Sequence, residues 1–147
     1  MILKNSKQKP LSKLIKDTDD WFSRMVRLSA SNEDRVGRCF TCGIPGDVAY
    51  MDCGHFHSRK HYSTRWEKNN ARLQCKMPCN YSMGDPKVNN AYKEKLIKEI
   101  GQVQFDLLSI KIHNKMKLER FTLEYLRNEF KTEALRLLEE KGIKKWW

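Results

Sequence analysis

Three segments decide the fold: Cys39-Phe40-Thr41-Cys42-Gly43, Asp52-Cys53-Gly54-His55-Phe56-His57, and Gln74-Cys75-Lys76-Met77-Pro78-Cys79-Asn80. Two separated cysteine pairs bracket a histidine pair. Cys39, Cys42, Cys75 and Cys79 fit a tetrahedral zinc site of four thiolates, the first pair on a tight knuckle and the second in the first turn of a helix beginning near Pro78. A closed set of four thiolates leaves no open coordination position, so this zinc is expected to be structural. Three residues separate the second pair and 32 lie between the pairs, more than a simple zinc ribbon needs, so a hairpin must be inserted. Short strands are expected near 48–53 and 54–58, followed by a loop carrying Arg59, Lys60, His61, Arg65 and Lys68. Cys53 is left over, and reads as a small buried residue on a strand.

A histidine after glycine is usually structural, but His55 has Asp52 three residues before it, Asn70 in the following loop and Asn80 directly after the last cysteine. A histidine ending one strand, an asparagine in the next loop and a polar ligand on the next helix resemble the ββα-metal arrangement of HNH nucleases. Asp-Cys-Gly-His is also similar to the Asp-Arg-Gly-His signature of related nonspecific nucleases. Such a site suits a phosphodiester, whose hydrolysis needs a nucleophilic water, neutralised phosphate charge and a stabilised leaving alkoxide. Neutral His55 would take the water proton. A catalytic Mg²⁺ or Mn²⁺ would be held by Asn80 with Asp52 or His57, because hard cations favour oxygen ligands. Asn70 would brace the loop and orient His55. Arg59, Lys60, His61, Arg65 and Lys68 are candidate DNA contacts, or simply solvated cations.

Working outward, Leu11, Leu14, Ile15, Trp21, Phe22, Met25, Val26 and Leu28 form a helical stripe over 11–29. After Asp85-Pro86, Val88, Ala91, Tyr92, Leu96, Ile97 and Ile100 form a second stripe ending at Gly101, and 103–112 a third, shorter one. A last helix is expected from a Thr122 cap to Gly142. The terminal Trp146-Trp147 pair would either dock or fray. The fold class is therefore α+β, mostly helical: a small zinc-bound ββα-metal core, HNH- or treble-clef-like, over 39–86. The chain reads as a basic flexible arm over 1–10 and one domain over 11–147, with a helical segment over 11–38 before the core and helices over 87–147 after it.

Lys and Arg number 29 against 18 Asp and Glu, a net charge of +11, which favours a polyanionic partner. The odd number of cysteines, five, lies in a chain whose first residues lack an apolar signal-peptide core, so metal thiolates in a reducing cytosol fit better than disulfides. No apolar run approaches the roughly 18 residues of a membrane span.

The quoted segments, with Thr64-Arg65-Trp66, Asn70, the run Tyr92 to Gly101 and Phe121 to Leu126, resemble the phage lambda NinG family, also called Rap, over about 11–141. The resemblance implies a metal-dependent endonuclease of the host-cell cytosol that cuts branched recombination intermediates, D-loops and Holliday junctions. The pattern departs from the family at the three-residue Cys75–Cys79 spacing, and from phage endonuclease VII at Gly54, which stands where an aspartate would. Two other readings are a non-catalytic zinc DNA-binding recombination protein and an HNH nuclease of different specificity. The near two-fold geometry of junctions and their two strands to cut suggest a homodimer as one hypothesis, with the first or last helix as its seam.

Overall fold

A computed structural model describes residues 7–147. Of the expected basic arm, residues 1–6 lie outside the described residues. Lys9 is held in place, its ammonium 3.1 Å from Asp17 and its carbonyl accepting from Arg120 at 2.8 Å.

The first stripe forms α1 (Leu11–Ser29), which buries Trp21, Phe22, Met25 and Leu28. These side chains join Leu123, Phe130, Ala134, Leu137 and Leu138 of the last helix, α5 (Arg120–Lys141), in one apolar cluster. The two helices expected as a dimer seam thus pack on each other within the chain. Gly142 closes α5 in the left-handed conformation expected of it (φ 61°), open to glycine at little cost. Lys141 then donates to the Leu28 and Ser31 carbonyls, both at 2.6 Å, supplying partners at the end of α1. Helix α5 begins two residues before Thr122, with Glu119 at its cap position, and Arg120 of its first turn donates to the Lys9 carbonyl.

Between these helices lie two small antiparallel ribbons. β1 (Val36–Arg38) pairs with β2 (Pro45–Asp47), and the cysteine knuckle is their turn, closed by Cys39 N–H to the Ile44 carbonyl and Gly43 N–H to the Cys39 carbonyl. β3 (Asp52–His55) pairs with β4 (Ala71–Gln74), placing Asp52 opposite Gln74 and His55 opposite Ala71. The strands expected at 48–53 and 54–58 are therefore one strand centred on Cys53 and Gly54, and its partner comes from beyond the basic loop. Gly54 marks a close approach, where a Cβ would lie 1.9 Å from Gln74 Oε1. Gln74 is fully buried and held by its donation to Thr41 Oγ1 at 2.7 Å, so it has little room to withdraw. Gly54→Ala is accordingly expected to lower stability by about 3 kcal/mol by overpacking, read as a drop in Tm.

The connection from β3 to β4 holds α2 (Tyr62–Arg65) and a 3₁₀ turn at Lys68–Asn70. No regular helix starts at Pro78: Lys76–Asn80 is a single wide turn, with Asn80 N–H on the Cys75 carbonyl at 3.0 Å. The helix α3 (Pro86–Ile100) starts instead at the next proline, where Asp85 accepts from Lys87 N–H at 2.8 Å. A cap and a proline at the first position outweigh the proline alone. Helix α4 (Gln102–Lys111) follows, and Tyr92, Leu96, Phe105 and Leu108 bury a separate small cluster. Helices make up 55% of the described residues, so the strands serve chiefly to hold the loops between them. No helix among the described residues is long and apolar enough to cross a membrane.

Candidate functional site

The knuckle and the wide turn bring Cys39, Cys42, Cys75 and Cys79 together, with all four Sγ atoms within 4.8 Å of one another. Zn–S bonds of about 2.3 Å in a tetrahedron require Sγ separations of about 3.8 Å, and Cys42 and Cys75 already stand at 3.9 Å. Burial pushes the Cys75 and Cys79 thiols up, and Cys39 lies beside both. At Cys39 burial acts the same way, but surrounding hydrogen bonds, chiefly from backbone amides, hold the thiol down at about 7. Crowding that opposes ionisation is relieved by a dication, so these four cysteines could hold a zinc ion. Cys53 stands apart from the four on β3, its thiol pushed up to about 12 by burial.

One residue beyond Cys79, Asn80 enters a second site. A cleft of about 410 Å³ is lined by Asp19, Ser23, Asp52, Cys53, His55, Arg59, Asn80 and Met83. Within it Asn80 Nδ2 donates to Asp52 Oδ2 at 2.8 Å, and the Lys76 ammonium lies 3.8 Å from Asp52 Oδ1. His55, at the end of β3, packs 5.8 Å from the Phe22 ring and places Nε2 2.9 Å from the Arg65 carbonyl. A carbonyl only accepts, so Nε2 carries the proton and Nδ1 keeps the lone pair. Burial lowers the His55 pKa, opposed by that carbonyl, so the ring is neutral at pH 7.

The expected residues divide by position. Asp52, His55 and Asn80 meet in the cleft. Asn70 is fully buried beneath it, with Nδ2 donating to the His57 and Thr64 carbonyls, both at 3.0 Å, and Oδ1 accepting from His57 N–H at 2.8 Å. It braces the loop that follows His55. His57 does not line the cleft; its Nε2 lies 3.2 Å from Ser109 Oγ on α4. Of the candidate DNA contacts, Arg59, Lys60 and Lys68 are exposed, His61 is half-buried, and Arg59 lines the cleft. Arg65 is spent internally. Its guanidinium forks onto Asp19 at 2.9 and 2.6 Å and reaches the Arg59 carbonyl at 3.0 Å.

Asp19 is the functional candidate that sequence reading missed. It also accepts from Trp66 Nε1 at 2.9 Å, so this one carboxylate ties α1 to the residue whose carbonyl orients His55. The available signal was an acid four residues after Ile15 and three before Phe22, on the buried side of an amphipathic helix. Tyr92 is a second such residue, donating from α3 to the Gly54 carbonyl at 2.9 Å and steadying β3 from behind.

The family model described as Bacteriophage Lambda NinG protein matches residues 2–141. No curated protein and no solved structure matches the chain.

Proposed function

We propose, from the premise that this chain belongs to the NinG family, that it is a metal-dependent DNA endonuclease of HNH-like, ββα-metal type that cuts branched recombination intermediates such as D-loops and Holliday junctions. The observation that carries the reading is the convergence of His55, Asp52 and Asn80 on one cleft, with Asn80 adjacent in sequence to the zinc-site residue Cys79.

In this reading His55 is the general base. With Nε2–H on the Arg65 carbonyl, Nδ1 is the atom that takes a proton from an attacking water. Asn70 keeps the loop behind it from shifting, and the Asp19–Arg65 fork keeps the Arg65 carbonyl under the ring. Asp52 and the Asn80 amide oxygen are the hard donors available to a Mg²⁺ or Mn²⁺ ion, which when bound supplies charge neutralisation at the phosphate and leaving oxygen. His57, outside the cleft, is the weaker of the two ligands considered beside Asn80. Arg59 and Lys76 supply positive charge at the cleft, where a phosphodiester backbone needs it.

The test is cleavage of an end-labelled four-way junction in competition with linear duplex, in Mg²⁺ or Mn²⁺. Preferential nicking of the junction supports the reading. Equal cutting of both substrates assigns an HNH nuclease of other specificity. Binding without cutting under either ion assigns a non-catalytic DNA-binding protein.

A further inference from the structure

The C-terminal tail was left open by the sequence, and residues 142–147 lie beyond the span the family model matches. The tail docks. Trp147 packs edge-on against Trp21 of α1 at 5.7 Å, and Trp146 against Trp147 at 4.9 Å. Cations layer these rings: the Arg24 guanidinium lies 4.5 Å from the Trp21 ring and 4.7 Å from Trp147, with Lys131 over Trp21 at 5.6 Å and Lys145 over Trp147 at 5.5 Å. Among the described residues, Arg24, Lys131, Lys144 and Lys145 form no ion pair with a carboxylate. The nearest acids on α1, Asp17 and Asp20, are engaged by Lys9 and Arg127 and by Lys16.

This patch adjoins the cleft. Ser23, which lines the cleft, precedes Arg24, and Trp146 packs against the cluster containing Met51, the residue before Asp52. Arg27 ties the two together. Its guanidinium lies 5.5 Å from the Trp146 ring and donates to the Val48 carbonyl at 3.2 Å, within the turn leading into β3. A purely apolar cap would not require four unpaired cations, and this one leaves the buried Trp147 Nε1 without an acceptor among the described residues.

Resting on the reading of the cleft as a DNA site, we infer that the tail and its cation-layered tryptophans form a second backbone-binding surface, which holds the DNA strand leaving the cleft through its phosphates. Cations stacked on indoles keep N–H groups for phosphate oxygens while losing little conformational freedom. The patch reads no sequence; it extends the footprint and its salt dependence.

The test uses the full chain with Lys144→Glu and Lys145→Glu together, both exposed positions. Binding to a labelled four-way junction is measured across a salt series, with tryptophan fluorescence as a second readout, since three of the four tryptophans lie in the patch. The variant is expected to bind about ten-fold or more weakly near 0.1 M salt and to lose about two from the slope of log K against log salt. Its Tm should be unchanged, and DNA should quench its tryptophans less than in wild type. Wild-type affinity and slope in the variant would overturn the inference while leaving the cleft reading intact. If wild type itself fails to bind DNA, both fall.

Discussion

Removing zinc is expected to dismantle the 39–80 core while leaving much of the helical signal. The two cysteine pairs join the β1–β2 turn to the wide turn carrying Asn80, and Cys39 and Cys79 are core residues of the cluster holding Val48, Met51 and Leu73. A structural zinc contributes apparent binding energies of about 10–16 kcal/mol in small zinc domains, comparable with the roughly 5–15 kcal/mol total stability of a typical domain. The α1–α5 cluster contains none of the four thiols, so those helices should persist. Stripping the metal with a strong chelator, or replacing Cys79 by Ser, should abolish DNA cleavage and lower Tm, while far-UV helicity and the near-UV signal of the tryptophans packed on the α1–α5 cluster largely remain. Elemental analysis should find one zinc per chain before treatment. A metal-free protein with unchanged Tm would show that the four cysteines hold no structural zinc.

The second large effect is at His55. On the general-base reading, His55→Ala should reduce the single-turnover cleavage rate by about 10²–10⁴, with DNA affinity retained. Because the ring packs on Phe22, the alanine leaves a gap, and His55→Gln is the better-filled companion variant. The pH dependence follows from burial. A histidine whose pKa is lowered stays neutral, and so competent as a base, to a pH below its ordinary value of about 6.5. The rate should therefore hold as pH falls through 6.5 and decline only below it. An acid limb above 6.5, or equal rates in wild type and His55→Gln, would take the role from this residue.

The sequence showed some of this molecule clearly, and the reasons are physical. Cysteine spacing names a metal cluster because few other arrangements need two tight pairs, and the four sulfurs do converge. Helix stripes and the Gly142 stop are local signals, legible without tertiary context. The strand boundaries were not, because Gly54 looks like a turn residue until Gln74 is known to cross it. Pro78 misled for a related reason: proline permits a helix start but does not compel one, and Asp85-Pro86 supplies the cap that Pro78 lacks. Asp19 was invisible as a site residue because its partners Arg65 and Trp66 lie far along the chain. For Arg65 the charge was legible but not its direction, and it turns inward onto Asp19.

The cleft is thus assembled from three distant sources. Helix α1 supplies Asp19, β3 supplies Asp52 and His55, and the turn carrying Cys79 supplies Asn80. The neighbouring cysteines then serve the cleft indirectly, since Cys75 also accepts from the Asn80 backbone.

The most direct measurement is a time course on an end-labelled four-way junction with zinc-loaded wild type, in Mg²⁺ and then with the Mg²⁺ withdrawn while zinc is retained. Strand cuts are expected only with Mg²⁺ or Mn²⁺, and should vanish in His55→Gln at equal zinc content. An intact junction under every ion, or cutting that persists without Mg²⁺ and without His55, would contradict the endonuclease reading.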